Sequence, residues 1–466
     1  MSICYVTAFL DLERESWSTF SRKFDDYLKG FTPYVNMFEK CKDNPLFKMV
    51  CFIDEKRIEM VQKLNLPSNM ILIKINEKYL NENSVLWRRL NEETRIMNSE
   101  SYKNKVKHRL HFPENTNPRY TLINHSKIDF VNLAFDIVNS EYYCWVDFGY
   151  FSKEINIPTY MIDINKLNKN RINYTLINKI QDKDKDYMYT LTCVPEKIGG
   201  FFFFGDKQNL KQYQKLYHKV HDQFQKLEIV DDDQFMALQC YFENPSLFHL
   251  HYLGEWHKAL SAFQKSSLTE IMNRNGSDKG SGHHNYTTYY ETLFSPLRET
   301  KLDILEIGIG TNNPNIPSNM SGTPGGYKPG SSLRGWKEYF SLARVHGCDI
   351  DRNILFQEDR IETFFLNQTD KQSLQEQIVF KNQEYDIIID DGLHFFPVNW
   401  FVAKEIICKL RKNGYYIIED IKDFDKNVLK EPFWKLYKAE YIEIPNKKNK
   451  TYNNILIIKK SKINGD

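Results

Sequence analysis

Short apolar runs alternate with helix-like amphipathic segments along this chain, and the alternation is interrupted once, near residue 256. In the first series, brief apolar runs bounded by polar residues predict β-strands. They cover residues 4–10, 48–53, 70–75 and 142–146, and a helical pattern covers residues 17–28. Alternating strands and helices, with acidic residues where strands end, indicate an α/β fold.

The second series shows the same alternation more clearly. Apolar runs predict strands at 303–309, 345–349, 385–390 and 415–418, and helical patterns lie at 332–340 and 400–410. Continuous apolar strands separated by helices are typical of a parallel sheet that is covered on both faces. Ligands of such sheets bind at the carboxyl ends of the strands, so the polar residues at these ends are the candidates for chemistry.

The chain has room for two or three domains, since it is 466 residues long. Residues 255–273 have helical periodicity, and Asn275, Gly276 and Ser277 then form a breaker. We therefore predict a first domain over residues 1–258, a helical linker over 259–276 and a second domain over 277–466.

Composition excludes several classes of protein. The formal net charge of +2 gives no reason to expect nucleic acid as a partner. No apolar run is long enough to span a bilayer, and residues 1–10 lack the basic start of a signal peptide, so we expect a first strand there. The eight cysteines are not spaced as zinc or redox pairs. They predict buried, reduced thiols in a cytoplasmic protein.

A glycine-rich turn follows the first strand of the second series. The run from Glu306 through Gly308 to Gly310 lets the backbone approach a ligand where a Cβ atom would clash. About forty residues later, Asp349 ends the next strand with a carboxylate that can accept both hydroxyls of a ribose. The pair predicts a nucleoside site, although Asp349 alone is equally explained as a helix cap.

Two further strands end in paired acids, which are Asp390 with Asp391 and Glu419 with Asp420. Acids from adjacent strand ends that face one pocket form the oxygen-rich site that Mg²⁺ prefers. His394, three residues past Asp391, can stand beside such a metal as a base. A helix cap or a solvated strand end is the structural alternative for each acidic pair, and His394 taken alone is more often structural.

These motifs, together with Tyr286, Tyr290 and the run from Ser277 to Gly280, resemble the metal-dependent sugar O-methyltransferases of the mycinamicin type. The resemblance implies a Rossmann-like class I methyltransferase that uses S-adenosylmethionine and Mg²⁺ on a sugar acceptor. By the resemblance, Mg²⁺ is bound by Asp391, Glu419 and Asp420, and His394 is the general base. The residues expected at the cofactor are Asp278, Lys279, Glu306, Gly308, Gly310, Asp349, Gln368 and Asp390. A catechol acceptor is the alternative.

The long segment over residues 311–331 also resembles this methyltransferase family. It is rich in Asn, Pro and Gly and exceeds the minimal turn of a simple methyltransferase. We interpret it as a lid over the cofactor or the acceptor.

The first series carries a different set of motifs. Asp147 follows a short apolar strand, residues 199–205 form a Gly-Gly-aromatic run, residues 231–233 are three acids, and His249 and His251 come later. A strand-end acid, a glycine-aromatic loop, a second acid cluster and a histidine are the components of a GT-A nucleotide-sugar site. In such a site Mn²⁺ or Mg²⁺ joins the acid to the diphosphate. Each component is also explained by a cap or a core strand.

The start of the chain and the run from Trp145 to Gly149 resemble the HtrL/WlaTC-type proteins, which are regarded as glycosyltransferases. The resemblance implies a GT-A-like mixed sheet with Asp147 as the catalytic anchor for a nucleotide-sugar donor. The usual Asp-x-Asp pair is absent, because position 149 is glycine. A non-catalytic module that binds glycan is the alternative for this half.

The two halves together predict a bifunctional enzyme of bacterial surface-glycan synthesis, of capsule or lipopolysaccharide. Its expected partners are a sugar or glycan acceptor and a nucleotide-sugar donor. A peripheral contact with membrane glycan assembly and a homo-oligomer are both compatible with the sequence.

Overall fold

The computed structural model describes residues 1–151, 157–281, 283–323, 326–422, 437–444 and 453–460. The chain divides into two compact units, Met1–Lys265 and Ser266–Asp466. Each unit is described by itself.

The described part of the first unit contains a seven-stranded sheet in the order β3-β2-β1-β4-β6-β5-β7. Strand β6 is antiparallel to both β4 and β5, and the other pairs are parallel, so the sheet is mixed as predicted. The strands are β1 (Ile3–Phe9), β2 (Phe47–Asp54), β3 (Met70–Ile75), β4 (Tyr142–Val146), β5 (Ile172–Leu176), β6 (Ile198–Asp206) and β7 (Phe248–Tyr252).

Helices of the first unit bury apolar side chains against this sheet in two clusters. The helices are α1 (Phe24–Lys40), α2 (Ile58–Gln62), α3 (Glu77–Asn83), α4 (Leu90–Asn98), α5 (Glu100–Lys105), α6 (Pro118–His125), α7 (Lys127–Ile137), α8 (Tyr187–Cys193), α9 (Lys207–Lys226), α10 (Asp233–Glu243) and α11 (Ala259–Ala262).

Two predictions for the first unit are wrong. The helix expected at 17–28 begins only at Phe24, where Asp25 and Asp26 occupy the first turn and suit the helix dipole. The glycine-aromatic run at 199–205, expected as a ligand loop, lies within the buried strand β6. Burial of four consecutive phenylalanines in the sheet outweighs the low strand propensity of the neighbouring glycines.

In the second unit the described strands form an eight-stranded sheet in the order β10-β11-β9-β8-β12-β13-β15-β14. Strands β11, β9, β8, β12 and β13 are parallel, while β15 runs antiparallel to both neighbours. This confirms the Rossmann-like fold. The strands are β8 (Asp303–Ile307), β9 (Arg344–Asp349), β10 (Gln357–Glu358), β11 (Ile361–Phe365), β12 (Tyr385–Asp390), β13 (Leu410–Ile418), β14 (Tyr437–Glu443) and β15 (Asn454–Lys460).

Helices on both faces of this sheet complete its two apolar clusters. They are α12 (Leu268–Asn275), α13 (Tyr286–Phe294), α14 (Ser331–Tyr339), α15 (Lys371–Leu374) and α16 (Phe396–Ile406). The segment predicted as a helical linker, 259–276, contributes α11 to the first unit and α12 to the second. Leu268, Ile271 and Met272 of α12 are fully buried in the core of the second unit.

All eight cysteines are free thiols. Six are buried, but Cys193 and Cys408 are exposed, so the prediction of burial is wrong for these two. Within the described ranges, no helix combines the length and apolar character needed to cross a membrane.

Candidate functional site

A cavity of about 430 Å³ opens at the carboxyl edge of the second sheet. Strands β8, β9 and β12 end here, so the residues that follow them share one lining. The cavity brings together six of the predicted residues, which are Gly308, Gly310, Asp349, Gln368, Asp391 and His394. Part of the predicted lid also lines it, through residues 315–318, while residues 324 and 325 of that lid lie outside the described residues.

The turn after β8 requires glycine at two positions. Gly308 has φ of +86°, and a Cβ atom there would lie 2.2 Å from the carbonyl oxygen of Asp391. Gly310 has φ of +82°, and a Cβ atom would lie 2.3 Å from the Tyr327 ring. Both the left-handed backbone and the close approach exclude a side chain. The turn therefore packs directly on the segment that carries Asp391.

Asp349 stands at the end of β9 on the cavity wall. Its Oδ2 accepts a hydrogen bond from the backbone N–H of Ile309 (2.9 Å), and its Oδ1 accepts one from Asp351 (2.9 Å). Burial raises the pKa of the Asp349 carboxyl above its usual value, although these two hydrogen bonds act to lower it. Each oxygen retains a further lone pair, so the carboxylate can still accept bonds from a ligand.

Gln368 and Asp390 support the turn that leads to His394. Gln368 accepts a hydrogen bond from the backbone of Leu393 through Oε1 (3.1 Å) and donates to Asp390 Oδ1 (3.5 Å). Asp390 is completely buried, and burial raises its pKa to about 7. Gln368 lines the cavity and Asp390 does not, so the structure places Asp390 beneath the site.

Lys279 lies at the centre of three carboxylates. Its ammonium group contacts Asp391 and Glu419 and lies 3.4 Å from Glu306 Oε1, with the side chain 1% exposed. Burial opposes the charged form, but the three carboxylates outweigh it and raise the pKa of Lys279. Lys279, predicted at the cofactor, thus binds side chains of the chain itself and does not line the cavity.

Glu306 and Glu419 also accept hydrogen bonds from buried donors other than Lys279. Glu306 accepts hydrogen bonds from Ser332 (2.7 Å) and Trp336 (2.6 Å). Tyr290 donates to Glu419 Oε1 (2.6 Å) while Lys279 contacts Oε2. Both carboxylates are 1% exposed and lie outside the cavity lining.

Asp391 and His394 line the cavity, and Asp420 contacts His394 from outside this lining. His394 Nε2 lies 3.1 Å from Asp391 Oδ1 and 3.4 Å from Asp420 Oδ2. Burial opposes the imidazolium, but the Asp391 hydrogen bond and both carboxylate charges raise the pKa of His394 to about 9. His394 and Asp420 both have positive φ, +55° and +52°. Non-glycine residues in this region are strained, and such strain concentrates at functional sites.

The donor set suits a divalent cation. Asp391, His394 and Asp420 offer ligand atoms that all lie within 4.8 Å of one another. Around them, four carboxylates, including Glu306 and Glu419, meet one ammonium and two imidazoles in the described structure. A divalent cation would neutralise the remaining negative charge, and carboxylate oxygens are the ligands that Mg²⁺ prefers. Each of the three predicted ligands already has a partner on both carboxylate oxygens: Asp391, Glu419 and Asp420.

Two aromatic residues of this site lie on or before α13. His284 Nδ1 lies 3.1 Å from Asp420 Oδ1, and Tyr286 donates to the same oxygen at 2.5 Å. Sequence reasoning assigned no role to His284, because the adjacent pair His283 and His284 lies in a polar segment away from any strand end. Asp278 lies 3.7 Å from His284 Nε2, so it too faces this cluster rather than the cavity.

In the first unit, Asp147 lines a cavity of about 570 Å³. Its Oδ1 accepts hydrogen bonds from Trp145 Nε1 (2.7 Å) and from the buried Lys127 (3.0 Å). Lys127 also pairs with Asp233 (2.8 Å) and donates to the backbone of Gly200 (3.0 Å). The predicted cation at Asp147 stays a prediction.

The other predicted components of this half are distributed unevenly. Asp231 lines the cavity but forms a double hydrogen bond with Arg109, at 3.0 Å for each contact. His251 contacts Asn173 (2.9 Å), and neither His249 nor His251 lines the cavity. His257 lines it instead, with φ of +54°. Lys127 and His257 are the residues that sequence reasoning missed, since neither follows a strand.

Fold and site together define a two-unit α/β protein whose second unit is a Rossmann-like class I methyltransferase fold. The family model of bacterial proteins of unknown function HtrL_YibB matches residues 1–265. This is more than half of the chain, and the chain belongs to that family.

The individual relatives are of two kinds, sugar O-methyltransferases and an HtrL protein. The 8-demethyl-8-alpha-L-rhamnosyl tetracenomycin-C 2'-O-methyltransferase of Streptomyces olivaceus is 32% identical over 174 residues, which are 37% of this chain and 40% of that protein. The chain thus spans less than half the length of this relative. Protein HtrL of Escherichia coli (strain K12) is 26% identical over 283 residues, 58% of this chain and 95% of that protein. Both predicted resemblances are confirmed.

Among solved structures, the MycE methyltransferase from the mycinamycin biosynthetic pathway, in complex with Mg and SAH, matches with a TM-score of 0.34. It is 16% identical and the match covers 70% of this chain and 74% of that one.

Proposed function

We propose that the second unit transfers a methyl group from S-adenosylmethionine to a sugar hydroxyl with the help of Mg²⁺. The observation that carries this proposal is one cavity lined by Asp349, Asp391 and His394, with Asp420 3.4 Å from His394 Nε2. A carboxylate that could bind a ribose and a histidine that could act as a base therefore line the same cavity, which supports the proposal.

The cofactor would lie along the ends of β8, β9 and β12. Gly308 and Gly310 leave the backbone open for close approach, and Asp349 would accept the ribose hydroxyls. Gln368 would lie near the adenine, held by its bonds to Leu393 and Asp390. Four other predicted residues lie outside the cavity lining and would hold in place the residues that face it. They are Asp278, Lys279, Glu306 and Asp390.

The acceptor hydroxyl would lose its proton to the neutral imidazole of His394, once Mg²⁺ binding engages the carboxylates that otherwise keep the ring protonated. Asp391 and Asp420 both contact Nε2 of this imidazole, which fixes the orientation of the ring. They would also bind Mg²⁺, with Glu419 as the third predicted ligand once Lys279 releases an oxygen. A bound divalent cation supplies Lewis acidity, which makes a neighbouring hydroxyl easier to deprotonate.

Relatives support a sugar as the acceptor class. The matched Streptomyces olivaceus protein is named for O-methylation of a rhamnosyl group. A bacterial surface glycan, of capsule or lipopolysaccharide, is the physiological acceptor that we propose. A catechol is the competing acceptor, because metal-dependent methyltransferases also use catechols.

Labelled methyl transfer tests this function. The full-length protein is incubated with S-adenosylmethionine carrying a labelled methyl group and with two acceptor panels, rhamnosides and other glycosides against catechols. We expect label in a glycoside, loss of transfer in EDTA and recovery with Mg²⁺. Transfer only to catechols would overturn the sugar assignment, and full activity in EDTA would overturn the metal role.

Sugar transfer by the first unit is our second proposal. It is favoured by the large cavity that holds Asp147, Lys127 and Asp233 at the carboxyl end of β4. A nucleotide sugar is the proposed donor. A glycan-binding module without catalysis is the alternative.

Hydrolysis of a nucleotide-sugar panel by the full-length protein separates these two functions. Release of nucleoside diphosphate that is lost in Asp147→Asn supports transfer. Glycan binding without any donor turnover would instead identify a binding module.

A further inference from the structure

A second cavity of the first unit, of about 370 Å³, lies where β1 and β4 end. Residues 8–12 and 147–149 line it. Strands β2 and β3 continue the sheet on one side of β1, while β4 begins the other side, so the strand order reverses at this point. Ligands of open α/β sheets bind in the crevice outside such a reversal.

Two arginines in this cavity have no acidic partner among the described residues. Arg14 donates to the hydroxyl of Tyr27 (2.7 Å) and to the carbonyl oxygen of Phe20 (2.8 Å), which are neutral groups. Arg22 stacks on the Tyr27 ring, 3.8 Å from its centroid. In the described part of the chain, no carboxylate lies within ion-pair distance of either guanidinium.

The acids that share the cavity are already paired. Asp11 lies 2.6 Å and Glu15 3.5 Å from Arg57. Asp147 lies 3.0 Å from Lys127. Arg57 and Lys127 each pair with two acids, so acids and bases balance in number around this cavity. Arg14 and Arg22 are its two cationic groups without a carboxylate within ion-pair distance among the described residues, and their guanidinium donors are suited to an anion.

Gly149 explains how Arg22 reaches this place. A Cβ atom at 149 would lie 2.8 Å from Arg22 Nη2 and 3.0 Å from Cδ1 of Tyr27. Arg22 Nη2 is buried there and makes no hydrogen bond to the described residues. A guanidinium thus faces the position where an Asp-x-Asp pair would carry its second carboxylate.

Lys127 lies at the same point, beside Asp147. Its ammonium group lies between Asp147 Oδ1 (3.0 Å) and Asp233 Oδ2 (2.8 Å). The Lys127 ammonium therefore occupies the place between the two carboxylates where a metal cation would otherwise be needed to offset their charge.

We infer that Arg14 and Arg22 bind the diphosphate of a nucleoside diphosphate in this cavity, without a divalent cation. Arginine suits this role because its planar donors match phosphate oxygens in pairs. The inference rests on the proposed sugar transfer and replaces its expected Mn²⁺ or Mg²⁺ by side chains of the protein.

Calorimetry on the full chain tests the inference with UDP, GDP, ADP and CDP as probes, each in EDTA and in MnCl₂. We expect one of them to bind with equal affinity in both buffers. Arg22→Gln and, separately, Arg14→Gln should weaken that binding at least about tenfold, since a charge-assisted hydrogen bond is lost. Arg95→Gln is the matched control, because Arg95 is an exposed arginine of the same unit that lines neither cavity.

The outcomes separate the inference from the function on which it rests. Binding that requires MnCl₂ would overturn the cation-free site and leave sugar transfer standing. Unchanged affinity in both folded arginine variants would also overturn it. Binding of none of the four probes to the wild type would overturn the sugar-transfer proposal together with the inference.

Discussion

At the scale of single residues, His394 combines a strained backbone with two carboxylate contacts. A side chain that served only packing would not need this conformation. We predict that His394→Ala lowers kcat of methyl transfer by about 10²–10⁴, the usual contribution of a general base. The affinity for S-adenosylmethionine should change little, and kinetics with calorimetry measure both.

His283→Ala provides the control for this variant, since His283 is exposed in the same unit. It should keep near-normal kcat. Wild-type kcat in a folded His394→Ala protein would show that the histidine is structural.

A substitution at Asp349 tests whether this residue of the cavity binds the cofactor. We predict that Asp349→Ala weakens binding of S-adenosylmethionine at least about tenfold, because charge-assisted bonds to the ribose contribute about 1.5–3 kcal/mol each. Asp359→Ala is the control, since Asp359 is 83% exposed. Equal affinity of wild type and Asp349→Ala in calorimetry would remove Asp349 from the cofactor site.

At the scale of elements, the turn after β8 requires glycine for two reasons, its left-handed backbone and its close packing against neighbouring atoms. Gly308 and Gly326 have nearly the same φ, +86° and +84°, but of these two only Gly308 has a neighbour within 4 Å of where a Cβ atom would stand. We predict that Gly308→Ala abolishes cofactor binding, while Gly326→Ala costs only the roughly 1 kcal/mol of a left-handed alanine. Thermal unfolding and calorimetry on both variants check this, and equal behaviour of the two would contradict it.

Helices α4, α6 and α9 of the first unit enclose Glu93, His125 and His221. Burial lowers the pKa of both histidines to about 3 and raises that of Glu93 to about 7. Because the histidine pKa values are lowered in the folded state, the free energy of unfolding decreases as the pH falls from about 6.5 to 3. The raised pKa of Glu93 has the opposite effect, so it increases the free energy of unfolding as the pH falls from about 7 to 4.5. The two histidines outweigh the one acid, so we expect the unit to lose stability on acidification.

The variant His125→Asn should reduce this dependence by up to about 1.4 kcal/mol per pH unit. An asparagine amide can donate or accept, so it can keep the hydrogen bond between His125 Nδ1 and the Tyr217 hydroxyl (2.8 Å) in either direction. Tyr217→Phe is the control, since it removes the same bond without removing the imidazole. Denaturant unfolding at several pH values measures the slope, and an unchanged slope in His125→Asn would contradict the assignment.

At the scale of the whole molecule, the division into two units predicts where the chain can be cut. We expect a fragment of residues 266–466 to fold and to bind S-adenosylmethionine, because α12 contributes buried residues to its core. A fragment that starts at 277, the boundary predicted from the sequence, lacks α12 and should be unstable. Circular dichroism and calorimetry compare them, and equal stability of the two fragments would show that α12 is dispensable.

The sequence by itself determined the two α/β series and most strands, because a short apolar run bounded by polar residues is typical of a strand buried in a sheet. It also placed Asp349, Asp391 and His394 at strand ends, and parallel strands bring their carboxyl ends to one edge. Helix starts and the extent of β6 were less accessible, since burial decides them.

Only the tertiary structure decided which charges meet. Lys279 lies far from Asp391 and Glu419 in sequence but contacts both. Lys127 likewise meets Asp147 and Asp233 from a different helix. Electrostatic pairing depends on distance and burial in three dimensions, which no local pattern of residues encodes. For this reason the sequence could propose ligands and cations, while the fold showed which carboxylates the protein already neutralises itself.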